Sequence, residues 1–140
     1  MPKIYIAGPM TGIPQFNIPA FDAAAETLRL RNNEVISPAE IDDDETRALA
    51  LASKTGAPGD ASPNGETWGD FLARDIKIIA DSGIEEVWVL PNWQYSRGAK
   101  LETFVANLLD IPIHTWPLGY RLYELDLLEA WLPDMAYAYE

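Results

Sequence analysis

Apolar residues come in short blocks along this chain, and each block stops at a turn-forming residue. Lys3–Ala7 is such a run, closed by Gly8-Pro9, the pattern of a buried strand with a sharp stop. Asn17 suits a helix N-cap and Pro19 the first turn behind it. Ala20, Phe21, Ala24, Leu28 and Leu30 then recur at helical spacing to about Arg31, where Asn32-Asn33 ends the segment. Glu34–Ser37 predicts a second short strand, closed by Pro38. Trp68 to Ala80 is helical again, with Phe71, Leu72, Ile76 and Ile79 near one face. Glu86–Leu90 predicts a buried strand ended by Pro91, and Ser96 or Arg97 opens a helix to about Leu109. Pro112–Trp116 predicts the next strand, and Arg121–Leu132 an apolar helix with a tyrosine-bearing tail behind it.

Strands alternating with helices predict right-handed βαβ units, hence an α/β fold around a parallel sheet of four or five strands in a single domain over 1–140. Residues 38–67 interrupt the alternation. They hold Asp42-Asp43-Asp44, an Ala/Leu stretch (Ala48–Ala52) and a Gly/Pro/Ser/Asn-rich piece from Gly56 to Gly65. The expectation is a long flexible excursion with one helical piece; segments of this length are commonly lids or disordered. In open parallel sheets, ligands bind beyond the carboxyl ends of the strands. Gly8–Gly12, the excursion and Pro91–Glu102 therefore converge on one predicted site.

Composition narrows the chemistry. The 140 residues carry 10 Lys plus Arg against 22 Asp plus Glu, a net charge of −12. That argues against a broad nucleic-acid surface or docking on anionic lipid, while leaving room for one small anionic ligand. The absence of Cys removes disulfides, thiolate metal sites and Cys nucleophiles, and a single His disfavours a His-built zinc site or a Ser-His-Asp triad. No metal or cofactor is expected. No apolar run approaches the roughly 20 residues of a membrane span. The opening MPKIYIAG has no leader-like pattern, which predicts a cytoplasmic protein.

Four groups of residues could carry chemistry. Glu102 follows Ser96-Arg97-Gly98-Ala99-Lys100-Leu101 from a loop into a helix. Ser96 can cap that helix, Gly98 leaves the backbone open, and free N–H groups attract an anion. A Glu early in a helix is also favoured by the dipole alone. Gly8-Pro9-Met10-Thr11-Gly12 could approach phosphate or sugar, or be a bare turn; it lacks the spacing of the known phosphate-binding loops. Asp75 lies mid-helix, a poor place for Asp, which favours function over a surface pair with Arg74 or Lys77; Asp81 reads as a turn residue before Gly83. Tyr5, Trp68 and Trp93 could stack on a flat base or simply pack.

Taken together, these residues resemble the nucleoside 2-deoxyribosyltransferase superfamily, above all its small phage and bacterial members. The matching pieces are Lys3–Gly12, Phe16-Asn17 with Ala20-Phe21, Arg74-Asp75-Ile76, Val89-Leu90-Pro91 and Ser96–Glu102. They cover most of residues 3–109 in order; the charged insertion and the last 25 or so residues match nothing in the pattern. The resemblance implies a flavodoxin-like or Rossmann-like three-layer sandwich and N-glycosidic bond chemistry. It implies Glu102 as nucleophile, Tyr5 beside it, and Asp75 at the nucleobase or its departing proton.

Two departures bear on the substrate. Superfamily members that act on free nucleosides carry Asp six positions before the nucleophile, whereas the nucleoside 5′-monophosphate N-hydrolase branch carries Ser, as this chain does at Ser96. A Ser hydroxyl at a helix N-terminus accepts a phosphate that a carboxylate would repel. That branch also has Arg in its first loop, where Thr11 stands here; Arg97 and Lys100 are the nearby candidates to replace it. The expected reaction is retaining glycosyl chemistry through a glycosyl-Glu102 intermediate, ending in hydrolysis or transfer. The alternatives are a nucleotide-binding protein without turnover, or an N-glycosidase of a larger nucleotide such as NAD. The C-terminal residues Leu122, Tyr123, Leu125, Leu127, Leu128, Trp131 and Leu132 are apolar on all sides of a helix, which predicts burial within the chain or against another subunit. The resemblance likewise implies a homodimer or larger assembly, with Tyr137 or Tyr139 closing a neighbour's site.

Overall fold

The computed structural model describes residues 1–137 and has an α/β architecture, a five-stranded, mostly parallel sheet between helical layers in a Rossmann-like or flavodoxin-like arrangement. The strands are β1 (Lys3–Ala7), β2 (Glu34–Ile36), β3 (Glu86–Val89), β4 (Ile113–Thr115) and β5 (Arg121–Leu122). The helices are α1 (Ile18–Leu30), α2 (Asp44–Ala52), α3 (Trp68–Asp81), α4 (Arg97–Leu108) and α5 (Glu124–Tyr137). The sheet order is β2-β1-β3-β4-β5; only β5 runs antiparallel, pairing Ile113 with Leu122 and His114 with Arg121. The chain leaves β1 toward β2 on one side and returns to β3 on the other. The switch point, where such sheets open a crevice, lies between the carboxyl ends of β1 and β3.

Strand alternation divides the core in two. Ile4 and Ile6 face α1, where they meet Phe21, Ala24, Ala25, Leu28 and Leu90. Tyr5, Ala7, Val87 and Val89 face the other way, with Ile79 of α3, Ala99 and Ala106 of α4, and Leu127 and Trp131 of α5. Both faces of the central strands are buried, which explains their near-continuous apolar runs. Gly8 is required by this packing: a Cβ there would meet Leu90 Cβ at 2.9 Å.

Three expectations are corrected. The segment expected to be all helix from Arg121 begins with the two-residue strand β5, and α5 starts only at Glu124. Two residues carry no periodicity, so their strand pairing with β4 has no local signature. Secondly, α5 is not buried all round: Leu127 and Trp131 pack inward, whereas Leu125 and Leu132 are exposed, as is Tyr123 just before it. Trp131 donates from Nε1 to Thr103 Oγ1 at 3.3 Å and meets Phe104 edge-on at 5.2 Å, which docks α5 on α4. Tyr139 lies outside the described residues, as does the side chain of Tyr137.

Thirdly, the excursion is tied down rather than free. Its helical piece is α2, capped by Asp43, which accepts from Thr46 N at 2.8 Å. Gly12 N donates to Gly56 O at 2.8 Å, Gln15 N to Ser53 O at 2.8 Å and Gln15 Nε2 to Leu51 O at 3.0 Å. Gly56, at φ +67°, passes so close to the first loop that a Cβ would meet Ile13 O at 2.2 Å. Among the described residues no helix is long and apolar enough to cross a membrane.

Candidate active site

Beyond the carboxyl ends of β1 and β3 lies a cavity of about 710 Å³, within the roughly 300–1,000 Å³ usual for small-molecule sites. The loop after β1 supplies Gly8 to Thr11, Ile13 and Phe16; the excursion after β2 supplies Asp42, Thr46, Ala50, Pro58, Ala61 and Ser62. From α3 come Trp68, Phe71, Leu72, Arg74 and Asp75, and from the segment after β3 come Asn92, Tyr95 and Ser96 to Ala99, with Glu102. The three segments expected to converge do so.

Helical spacing builds two of the walls. On α3, Trp68, Phe71, Leu72 and Asp75 recur three and four apart, so one stripe runs from the first turn inward to the acid. Thr67 and Asp70 form a reciprocal capping box that fixes where this stripe begins. On α4, Ser96 accepts from Ala99 N at 3.2 Å as N-cap, and Gly98, Ala99 and Glu102 follow at the same spacing. A Cβ on Gly98 would meet only the Trp68 ring, at 4.0 Å. The Arg97 guanidinium lies 5.5 Å from the centre of that ring, a cation–π contact.

The loop after β1 is strained where it meets the pocket. Gln15, Phe16 and Asn17 all have φ between +50° and +61°. Such left-handed residues other than glycine each cost roughly 1–2 kcal/mol. Asn17 does not cap α1 with its side chain; Nδ2 donates instead to Pro9 O at 2.9 Å, which ties the strained turn to the Gly8-Pro9 stop.

The electrostatics concentrate on four residues. Glu102 is 6% exposed, Asp75 6% and Tyr5 0%. Glu102 Oε2 and Tyr5 Oη are buried with no hydrogen-bond partner among the described residues, an arrangement that native proteins rarely leave without a use. Burial pushes the Glu102 carboxyl well above the ordinary carboxylate range, and the charge of Asp75 adds to this; Tyr5 and Arg74 pull it partly back. Burial also raises the Tyr5 phenol, helped by Glu102 and Asp75, so Tyr5 stays a neutral donor. Asp75 is raised by burial too, and Arg74 offsets part of that rise through its charge and a hydrogen bond from Nε at 2.9 Å. The other end of Arg74, Nη1, donates to Asp42.

The structure brings together Glu102, Asp75, Gly8, Pro9, Met10, Thr11, Trp68, Ser96, Arg97 and Gly98 around one cavity, with Tyr5 buried beneath it. Three expected contributors do not line it: Tyr5, which is fully buried, Trp93 and Gly12. Trp93 is 8% exposed and packs in the core with Val89 and Ala99, so it is a core residue and not a stacking platform. Gly12 does not line the cavity; at φ +84° it ties the first loop to Gly56. Asp81 is exposed at the end of α3, as a turn residue would be. Asp42 and the apolar residues of the excursion were not anticipated; Asp42 stood inside a run of three acids, and nothing local separates it from its neighbours. No group of His, Asp and Glu among the described residues is arranged to hold a metal ion.

A family described as Domain of unknown function (DUF4406) matches residues 2–115, which takes in β1 through β4 together with the excursion and leaves β5 and α5 outside. Neither the curated proteins nor the solved structures give a match.

Proposed function

The chain belongs to the DUF4406 family, and we propose that it breaks the N-glycosidic bond of a (deoxy)nucleoside 5′-monophosphate with Glu102 as nucleophile. The observation that carries this reading is the buried Glu102 oxygen without a partner, lining a ligand-sized cavity beside Asp75 and over Tyr5. A buried carboxyl with no internal partner costs stability, and a reacting carbon is one occupant that would use it.

In the first step an oxygen of Glu102 bonds to the anomeric carbon as the bond from that carbon to the base nitrogen breaks. The bonding pair leaves with the base, which takes a proton from the acid form of Asp75. Arg74 beside it and the neutral Tyr5 hydroxyl offer hydrogen bonds to the charge that develops. In the second step a water oxygen, or a nitrogen of a second base, bonds to the anomeric carbon and Glu102 is released; the proton shed by the attacking group returns to Asp75. Ser96 at the start of α4 and Arg97 offer donors to the 5′-phosphate. Because Glu102 must be ionised to attack and Asp75 protonated to donate, activity should follow a bell-shaped pH profile that lies above the ordinary carboxylate range.

The same reading includes self-association. Leu101, Phe104 and Leu108 form one exposed stripe of α4, with Leu125 and Leu132 exposed on α5 docked against it. Light scattering on Phe104→Glu would show a smaller particle than the wild type.

The deciding experiment incubates the protein with ribo- and deoxynucleoside 5′-monophosphates and the free nucleosides, and follows released base by chromatography. Release from monophosphates alone, absent in Glu102→Ala, is expected. A nucleotide that stays bound and intact would replace the enzyme reading with a binding protein.

A further inference from the structure

Asp42 lies 32 residues from Arg74 in the chain, in a segment with no counterpart in the sequence pattern of the site. We propose that Asp42 is a positioning residue: anchored in the excursion after β2, it holds Arg74 against Asp75 and away from Glu102. The proposal rests on the reading of the pocket given above and adds to it what the excursion contributes.

The anchoring is visible on both sides of Asp42. Before it, Glu40 accepts two hydrogen bonds from Arg29, at 2.8 and 2.7 Å, and Arg29 also donates to Val35 O at 2.9 Å. Behind it, Asp43 caps α2, and Arg47 of that helix donates to Ala39 O at 2.7 Å while pairing with Asp22 of α1. Asp42 therefore stands between a pinned residue and a capped helix, and presents its carboxylate to Arg74 from a fixed place. Arg74 is held in turn by Asp42 at Nη1, by Asp75 at Nε, and by the Phe71 ring at 5.4 Å.

The consequence is electrostatic. Asp75 faces Arg74 on its own helix, Asp42 from the excursion, Tyr5 from β1 and Glu102 from α4, with Arg97 also lining the cavity. One guanidinium thus serves a cluster of three carboxylates. With Asp42 removed, Arg74 has Asp75 and Glu102 as its remaining acidic neighbours in the pocket, and a direct pair with Glu102 would hold the nucleophile as a stabilised carboxylate. With Asp42 present, the cation is shared outward and Glu102 stays unpaired. A plain surface ion pair would contribute little to stability and would not touch the chemistry.

The test compares Asp42→Asn and Asp42→Ala with the wild type. The amide oxygen of Asn still accepts from Arg74, so geometry is kept while one negative charge beside Asp75 is lost; Ala loses both. Expected for Asp42→Ala is a fall in kcat of about tenfold or more at equal folded concentration, with a smaller fall for Asp42→Asn. In Asp42→Asn, which keeps Arg74 in place, the Asp75 titration should move to lower pH; in Asp42→Ala, where Arg74 turns to Glu102, it should move to higher pH, both read by carboxyl-carbon NMR on the unliganded labelled protein. That readout needs no turnover. If the wild type releases no base but the Asp75 titration still moves, the N-glycosidase reading fails and the link from Asp42 to Asp75 stands. Unmoved titrations, or an Asp42→Ala variant that is less heat-stable yet retains full kcat and an unchanged pH profile, would overturn the positioning role and leave Asp42 a structural ion pair.

Discussion

Glu86 and Glu102 lie on opposite sides of the same sheet, and the protein treats them in opposite ways. Glu86 on β3 accepts from Trp88 Nε1 at 2.9 Å and lies 3.7 Å from His114 Nε2. His114 stacks on Trp88 at 5.4 Å, with Nδ1 3.3 Å from Gly119 O. Each polar atom named in that cluster has a neighbour suited to it. Glu102 is more deeply buried, and one of its oxygens has no hydrogen-bond partner among the described residues. A satisfied network rigidifies a fold, whereas an unsatisfied carboxyl subtracts from stability and needs a reason to persist. The cluster at Glu86 is a piece of architecture; the one at Glu102 is where a ligand would complete the hydrogen bonding.

The contrast can be broken most sharply by removing the two acids. Glu102→Ala should lower base release by at least about 10³-fold with an unchanged circular-dichroism spectrum; Glu86→Ala should leave release within a few-fold of the wild type. A Glu102→Ala variant with full activity would end the mechanism. Next in size, Asp75→Asn should lose about 10²–10⁴-fold, and its loss should deepen with poorer leaving groups if Asp75 supplies the proton. Steady-state rates across a series of bases check this.

Stability experiments sharpen the same comparison. Trp93→Ala should cost about 3–5 kcal/mol in denaturant unfolding, because the ring is buried in the core behind the site. Trp68→Ala, at the half-exposed first turn of α3, should cost far less and instead raise KM. The smallest effect carries a sign. Glu102 and Asp75 both hold a proton more tightly folded than unfolded. Their contribution to stability is fully present below the ordinary carboxylate range and is lost as pH rises through their folded values. Glu102→Gln should therefore raise the Tm by a few degrees at pH 8 and by less at pH 5, as read by calorimetry; an equal gain at both would contradict the burial of an ionisable Glu102. Glu86→Gln should stay within about 1 kcal/mol of the wild type.

How much was legible follows from the range of each interaction. The buried strands and the helices α1, α3 and α4 are written in apolar spacing, in the Ser96 cap and in the Gly8-Pro9 stop, all within a few residues of one another. The convergence of three segments on one end of the sheet follows from their alternation. The acids of Asp42-Asp43-Asp44 show where local information stops. Asp43 caps a helix, which spacing can reveal; Asp42 pairs with Arg74, which spacing cannot. Trp68 opens a helix and Trp93 lies in the loop before one, and neither position shows locally that Trp68 lines the cavity and Trp93 the core. β5 was hidden because a two-residue strand has no period to detect.

By itself the sequence determined the fold class, the positions of β1 to β4 and of α1, α3 and α4, the carboxyl-end location of the pocket and an acidic, cysteine-free chain. Hydrophobic periodicity, capping and turn chemistry are short-ranged and act on neighbours in the chain. Only the tertiary structure decided that Glu102 Oε2 and Tyr5 Oη have no hydrogen-bond partner among the described residues, that Arg74 is shared between Asp42 and Asp75, and that the excursion lines the pocket with both polar and apolar residues. Desolvation and ion pairing depend on which groups the fold brings within a few ångströms, and here those groups come from β1, the excursion, α3 and α4, far apart in the chain.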